Sequence, residues 1–123
     1  MQVRSLLPVL FLSAAVGVIH AEPKTVTVKG YVIDSACAFT KNLKKPISAE
    51  CAQACAKAGS PLVILADDGA IYWPISESTP AVSQNKRLIP YAGKRVTASG
   101  KVYTRGGSTA LVIADIKELP DSK

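Results

Sequence analysis

Two stretches of alternating apolar and polar residues dominate the chain. Over residues 25–34, Val26, Val28 and Val32 fall on one side and Thr25, Thr27, Lys29 and Tyr31 on the other, the period of a half-buried strand. Residues 95–103 repeat the plan: Val26-Thr27-Val28-Lys29-Gly30-Tyr31-Val32 is echoed by Val96-Thr97-Ala98-Ser99-Gly100-Lys101-Val102. Each copy carries an interior glycine. That weakens a long strand unless it bends there, as strands do at the corners of small closed barrels. Between the two copies, residues 62–66 and 71–74 flank Asp67-Asp68-Gly69-Ala70, a good hairpin turn. Gly106-Gly107 then turns the chain into a last strand over residues 109–119.

One segment departs from the strand plan. Residues 48–59 are alanine-rich, open on Ser48 as a cap, carry Glu50 in the first turn and Lys57 in the last, and stop at Gly59, which predicts a short helix. Cys51 and Cys55 lie four apart, so they project from one face with Ala52 and Ala58 nearby. That face is expected to pack against the barrel, with Cys37 arriving from the end of the first strand. Five strands and one helix predict a mainly β protein, an OB-like five-stranded Greek-key barrel with the short helix inserted between strands 1 and 2. An SH3-like barrel is the alternative.

The first residues read differently. Arg4 gives a positive start, residues 6–18 an apolar run, and Ile19-His20-Ala21 a small residue at a cut, the three parts of a secretory signal. The run is shorter than the roughly 20 apolar residues of a spanning helix, so no retained membrane anchor is expected. The first cysteine, Cys37, is too far on for lipid attachment at the cut. Cleavage after Ala21 leaves residues 22–123, which is 102 of the 123, enough for one small domain and no second. The product is expected to be periplasmic or secreted. Only Arg4 is lost among charged residues, so the mature net charge is +5 against +6 for the whole chain. In an oxidising compartment such a surface meets anionic envelope material rather than nucleic acid. Lys41, Lys44 and Lys45 form a local basic cluster.

The candidate chemistry is sulfur without imidazole. Cys37, Cys51 and Cys55 are the three cysteines, and the one histidine, His20, lies in the signal. Cysteines four apart on a helix have Cβ atoms about 5 to 6 Å apart, against about 3.5 to 4.5 Å in a disulfide, so Cys37 is expected to bond Cys51 or Cys55. Either bridge closes a loop of 15 to 19 residues, a constraint of about 3 kcal/mol. The spare cysteine is buried, or links a dimer. The competing reading is a soft-metal site, copper as Cu(I) or zinc, on the thiolates of Cys37, Cys51 and Cys55 with Asp34 as a fourth ligand. A third is thiol exchange with a partner protein. No C-x-x-C motif is present and no histidine remains as a base, so no catalysis is expected.

The motifs taken together resemble a recurrent kind of small secreted bacterial protein of unestablished activity. Gly30-Tyr31-Val32-Ile33-Asp34-Ser35-Ala36-Cys37 fits its G-x-V-x-D-x-x-C. The run from Cys51-Ala52-Gln53-Ala54-Cys55 to Gly59-Ser60-Pro61 fits its C-A-x-x-C-x-x-x-G-x-P. Gly93-Lys94-Arg95-Val96 and Gly100-Lys101-Val102-Tyr103 extend the similarity over nearly all of the mature chain. Many members carry a histidine shortly before the first helical cysteine, where this chain reads Lys45-Pro46-Ile47-Ser48. That departure weakens a metal site carried over from the family, and the resemblance implies no reaction.

A last class is binding on the barrel surface. OB folds hold oligomers across a strand face through aromatic and basic residues. Tyr31, Tyr72, Trp73 and Tyr103 with Lys29, Lys101 and Arg105 would form such a face, although Trp73, followed by Pro74, is expected in the core. Residues 76–86 form a polar loop with too few apolar residues to fold alone. The partners implied are an envelope protein, an anionic glycan or a metal ion. The reading is an exported binding or envelope-associated domain stabilised by one disulfide.

Overall fold

The computed structural model describes residues 23–41 and 48–120, together with Gly17. Apart from Gly17, the signal expected over residues 1–21 lies outside the described residues, as do Lys44 and Lys45. Among the described residues no helix is long and apolar enough to cross a membrane.

The alternating segments are strands. In chain order the elements are β1 (Lys24–Asp34), α1 (Ser35–Thr40), α2 (Ala49–Lys57), β2 (Leu62–Ala66), β3 (Ile71–Pro74), α3 (Asn85–Leu88), a 3-10 turn (Ile89–Tyr91), β4 (Arg95–Arg105) and β5 (Ser108–Glu118). The strands close into a barrel in the order β1-β2-β3-β5-β4. All pairs are antiparallel except β3 with β5. This agrees with the OB-like barrel expected and with its SH3-like alternative.

Closure falls on β1, which is shared. Its first part pairs with β4, from Lys24 opposite Val102 to Tyr31 opposite Arg95, and its last part pairs with β2, from Gly30 opposite Ala66 to Asp34 opposite Leu62. At the overlap, a Cβ on Gly30 would run into the Leu65 carbonyl. Gly100 is as tightly placed against the Val112 carbonyl, beside the register shift between Ser99 and Gly100. A glycine next to a bulge lets a strand coil enough to close a small barrel, which is the place of Gly100, while Gly30 is demanded by the close approach of the β2 backbone.

Val28, Val32, Ile64, Val96, Ala98, Leu111 and Ile113 fill the interior. Ala52 and Ala56 of α2 join the same cluster, with Leu88 and Ala92. Helix α2 is capped as expected, the Ser48 hydroxyl accepting from the Cys51 amide at 3.2 Å. Its packing face differs from the expected one. Ala52 and Ala56 are buried while Cys51 and Ala58 are exposed and Cys55 is half-buried. One residue corresponds to about 100° around a helix, and the face that meets the barrel is the one whose side chains are a single methyl.

Helix α1 was not foreseen. Asp34 caps it by accepting the Cys37 amide at 3.2 Å, so Cys37 sits on a helix rather than at the end of a strand. Outward-facing Ile33 and Val63 are nonetheless 2% and 0% exposed, the burial expected where a helix covers the outside of the sheet.

Replacing Gly30 or Gly100 by alanine is expected to destabilise the protein by at least the ~1–3 kcal/mol typical of overpacking. The urea midpoint of each variant measures this; a midpoint within error of the parent would show that the barrel closes without the bend.

Candidate functional site

Two places gather chemistry. The first is the junction where β1 ends, α2 ends and β2 begins. Asp34 is 1% exposed; its Oδ2 accepts the Cys37 amide and, at 3.5 Å, the Ser60 hydroxyl. Its Oδ1 is buried with no hydrogen-bond partner among the described residues. The Ser35 amide donates to the Pro61 carbonyl at 2.8 Å, fixing the two chain segments side by side.

Two of the cysteines, Cys37 and Cys55, feel this carboxylate, and each also feels Cys51. The Asp34 side chain, accepting from the Cys37 thiol, holds that thiol up at about 11 against an ordinary 9.0; burial and the charges of Asp34, Cys51 and Cys55 push the same way. Cys55 is also raised, by burial first, then by Asp34 and Cys51. At neutral pH Cys37 and Cys55 are therefore protonated thiols, poor nucleophiles. Each of the three is free, with no pair at bonding distance, so the bridge expected from Cys37 to Cys51 or Cys55 is not made in this structure. Among the described residues no three His, Cys, Asp or Glu side chains are grouped so as to hold a metal ion. Lys41 and Lys57, both exposed, are not among the influences on either raised thiol.

What ties α2 to the barrel here is an amide. Asn85 Nδ2 donates to the Ala56 and Ser60 carbonyls at 3.2 and 2.7 Å, and its Oδ1 accepts the Leu62 amide at 2.9 Å. One side chain from α3 thus satisfies the end of α2, the following turn and the start of β2. Nothing in the local sequence Gln84-Asn85-Lys86 marks it. The three partners are 23 to 29 residues away.

The second place is the outer face of β3, β5 and β4. Tyr72 packs against the core, so by alternation Trp73 points outward; it is half-buried rather than in the core as expected. Trp73 and Tyr103 are both paired with Ala110, from opposite sides. Two strand spacings put the aromatic side chains about 10 Å apart, with only a methyl group between them. Phe39 of α1, 67% exposed, lies against Trp73, ring centroids 6.3 Å apart and tilted by 33°. Lys101 and Arg105 flank Tyr103 on the same face of β4. Beside Trp73 a groove of about 480 Å³ is bounded by Pro61, Ile75, Val82 and Gln84.

The expected face is therefore assembled in part. Trp73, Tyr103, Lys101 and Arg105 share it. Tyr72 is turned inward, and Tyr31 stands between Leu65 and Arg95 on the β2–β1–β4 side. Lys29, opposite Thr97, is on that side too. Phe39 and Ala110 are additions that only the pairing reveals. Lys101 is also engaged: its ammonium meets Glu77 at 3.0 and 3.2 Å, and Tyr103 donates to the same carboxylate. Both contacts, Tyr103 first, lower the Glu77 pKa.

No family model, no curated protein and no solved structure matches the chain.

Three results are expected. Asn85→Ala strips three partners at once and costs about 2–4 kcal/mol, read from denaturant unfolding; a loss below about 0.5 kcal/mol would show that the junction stands without the amide. Cys37 contributes stability below its ordinary pKa of 9.0, lost as pH rises towards about 11, because the folded state favours the protonated thiol. Alkylation of Cys37 at pH 8 is slow in the parent and faster by about tenfold or more in Asp34→Asn, followed by peptide mass mapping. Equal rates would dissociate Cys37 from Asp34.

Proposed function

We propose that the chain is an exported binding domain that takes an anionic glycan across the outer face of β3, β5 and β4. The observation that carries this reading is the pairing of Trp73 and Tyr103 on either side of Ala110. Two aromatic walls with a methyl floor form a trough that accepts the apolar CH face of a sugar ring. Arg105, on the same face, supplies a cation for an acidic group. Its guanidinium recognises a carboxylate with two parallel bonds. The basic balance of the whole chain, +6, favours an anionic partner. The predicted signal over residues 1–21 and the resemblance to small secreted bacterial proteins support a location where envelope glycans are the abundant anions. Binding by preformed aromatics and a few charges requires no catalytic group, in keeping with thiols held protonated.

The thiols serve the scaffold in this reading. In an oxidising compartment Cys37 would bond Cys51 or Cys55 and fasten α1 to α2, leaving one thiol. Intact mass after alkylation, with metal analysis on the same exported protein, decides the matter. One alkylated thiol without metal is expected. Three alkylated thiols with stoichiometric copper or zinc would replace the scaffold reading by a metal site on Cys37, Cys51, Cys55 and Asp34, and a mixed disulfide with another protein would replace it by thiol exchange.

The binding reading is tested optically, because Trp73 is the one tryptophan of the chain. An alginate hexasaccharide is expected to change its emission saturably and in a salt-dependent way, cellohexaose weakly or not at all. Arg105→Ala is expected to weaken the acidic ligand about two- to fivefold, the range of an exposed ion pair. Saturable binding of a thymidine hexanucleotide in preference to the uronate, or no response to either, would overturn the assignment.

A further inference from the structure

Residues 75–84 pass over one end of the binding face, and their attachment to the barrel is unusual. The Ile75 amide donates to the Leu111 carbonyl at 3.0 Å where β3 ends. Beyond it, the polar contacts of this segment are local: Ser76 with Ser78, Ser78 with the Pro80 carbonyl, the Gln84 amide with the Val82 carbonyl. Apolar burial does not hold it either, since Val82 is 61% exposed. Among the described residues, Glu77 is the one side chain of the segment hydrogen-bonded to the barrel. Both of its oxygens meet Lys101 Nζ, and Oε1 also accepts from the Tyr103 hydroxyl.

This is how a ligand carboxylate would be held. The receiving groups lie on the outer face of β4, alternate residues of one strand, and Tyr103 is also a wall of the trough. The three side chains are solvent-accessible, with those of Lys101 and Glu77 50% and 42% exposed, so an external carboxylate reaches the same donors. We propose that Lys101 and Tyr103 form the carboxylate subsite of the binding face and that Glu77 occupies it as an internal ligand, holding residues 75–84 across the face until an acidic ligand displaces it.

The proposal rests on the reading of this face as an anion-binding surface. It adds where the acidic group goes and what guards the place. The exchange swaps one carboxylate for another on the same ammonium and phenol, so charge is conserved and no buried ion is stranded. An exposed ion pair of this kind is weak, so the internal ligand lowers affinity modestly and is readily expelled. A neutral sugar gains nothing from displacing it. Selectivity for acidic over neutral ligands therefore follows from the occupied state.

The test compares the parent protein with Glu77→Gln and with Glu77→Gln/Lys101→Met, titrating each with alginate hexasaccharide and following Trp73 emission, with circular dichroism as a check on folding. Glu77→Gln is expected to bind the uronate about two- to fivefold more tightly than the parent, and the added Lys101→Met to remove that gain. Amide exchange over residues 76–83 is expected to quicken in Glu77→Gln, showing release of the segment. Binding by the parent with unchanged or weaker affinity in Glu77→Gln would overturn the internal-ligand proposal and leave the binding reading standing. A failure of both the parent and Glu77→Gln to bind any uronate would sink the two together.

Discussion

Closing this five-stranded barrel has β1 give its two ends to different neighbours, and the structure is organised around that demand on β1. Its eleven residues give their first part to β4 and their last part to β2. A flat strand cannot do this, because the two partners lie in different directions around the barrel. Gly30 stands at the overlap, where its missing side chain lets the β2 backbone come close. The Ser99/Gly100 irregularity supplies the matching bend across the β4–β5 pair. Once β1 is bent, Asp34 at its end is carried to one mouth of the barrel, and the helices have a fixed place to dock.

That mouth is closed by a weak helix, strongly tied. Two buried alanines contribute little apolar area, and a nine-residue helix is marginal on its own. The deficit is met by polar contacts whose partners are distant in sequence. Asn85 satisfies three backbone groups at once, and Asp34 accepts the Cys37 amide and the Ser60 hydroxyl and raises the Cys37 thiol. A buried carboxylate with an unused oxygen is costly unless neighbouring donors compensate. The raised thiols are the other side of the same balance, since they stay protonated where a second anion would be repelled.

The outer face obeys a different logic. Lys101 is paired there with Glu77, and elsewhere on the barrel Arg95 is paired with Asp67 and Lys94 with Glu118 at 3.1 Å. These pairs leave the net charge of +6 unchanged; they decide which cations of the face are engaged, as Lys101 is with Glu77, and which stand exposed, as Arg105 does. The aromatic trough and the Glu77 pair lie side by side because alternation on β4 sets Lys101, Tyr103 and Arg105 on one side of the sheet.

The sequence by itself determined the strands, because alternation of side chains at period two is a local property, and it determined the bends, because an interior glycine has few other uses. It also located α2 and its Ser48 cap, whose signals lie within one turn. Residue type put Tyr103, Lys101 and Arg105 among surface candidates and sent Trp73 to the core, where the structure does not place it, and it could not sort the outward residues from Tyr31 and Tyr72. Whether two outward residues share a face depends on strand order and register, and the parallel β3–β5 pair that brings Trp73 to Ala110 joins segments far apart in the chain. The helix face was misjudged for a related reason: Cys51 and Cys55 share a stripe, but only the barrel mouth selects the neighbouring stripe of Ala52 and Ala56. Asn85, Phe39 and Glu77 left no local mark. Each acts through a partner more than 20 residues away, and such a partner exists only once the chain has closed on itself.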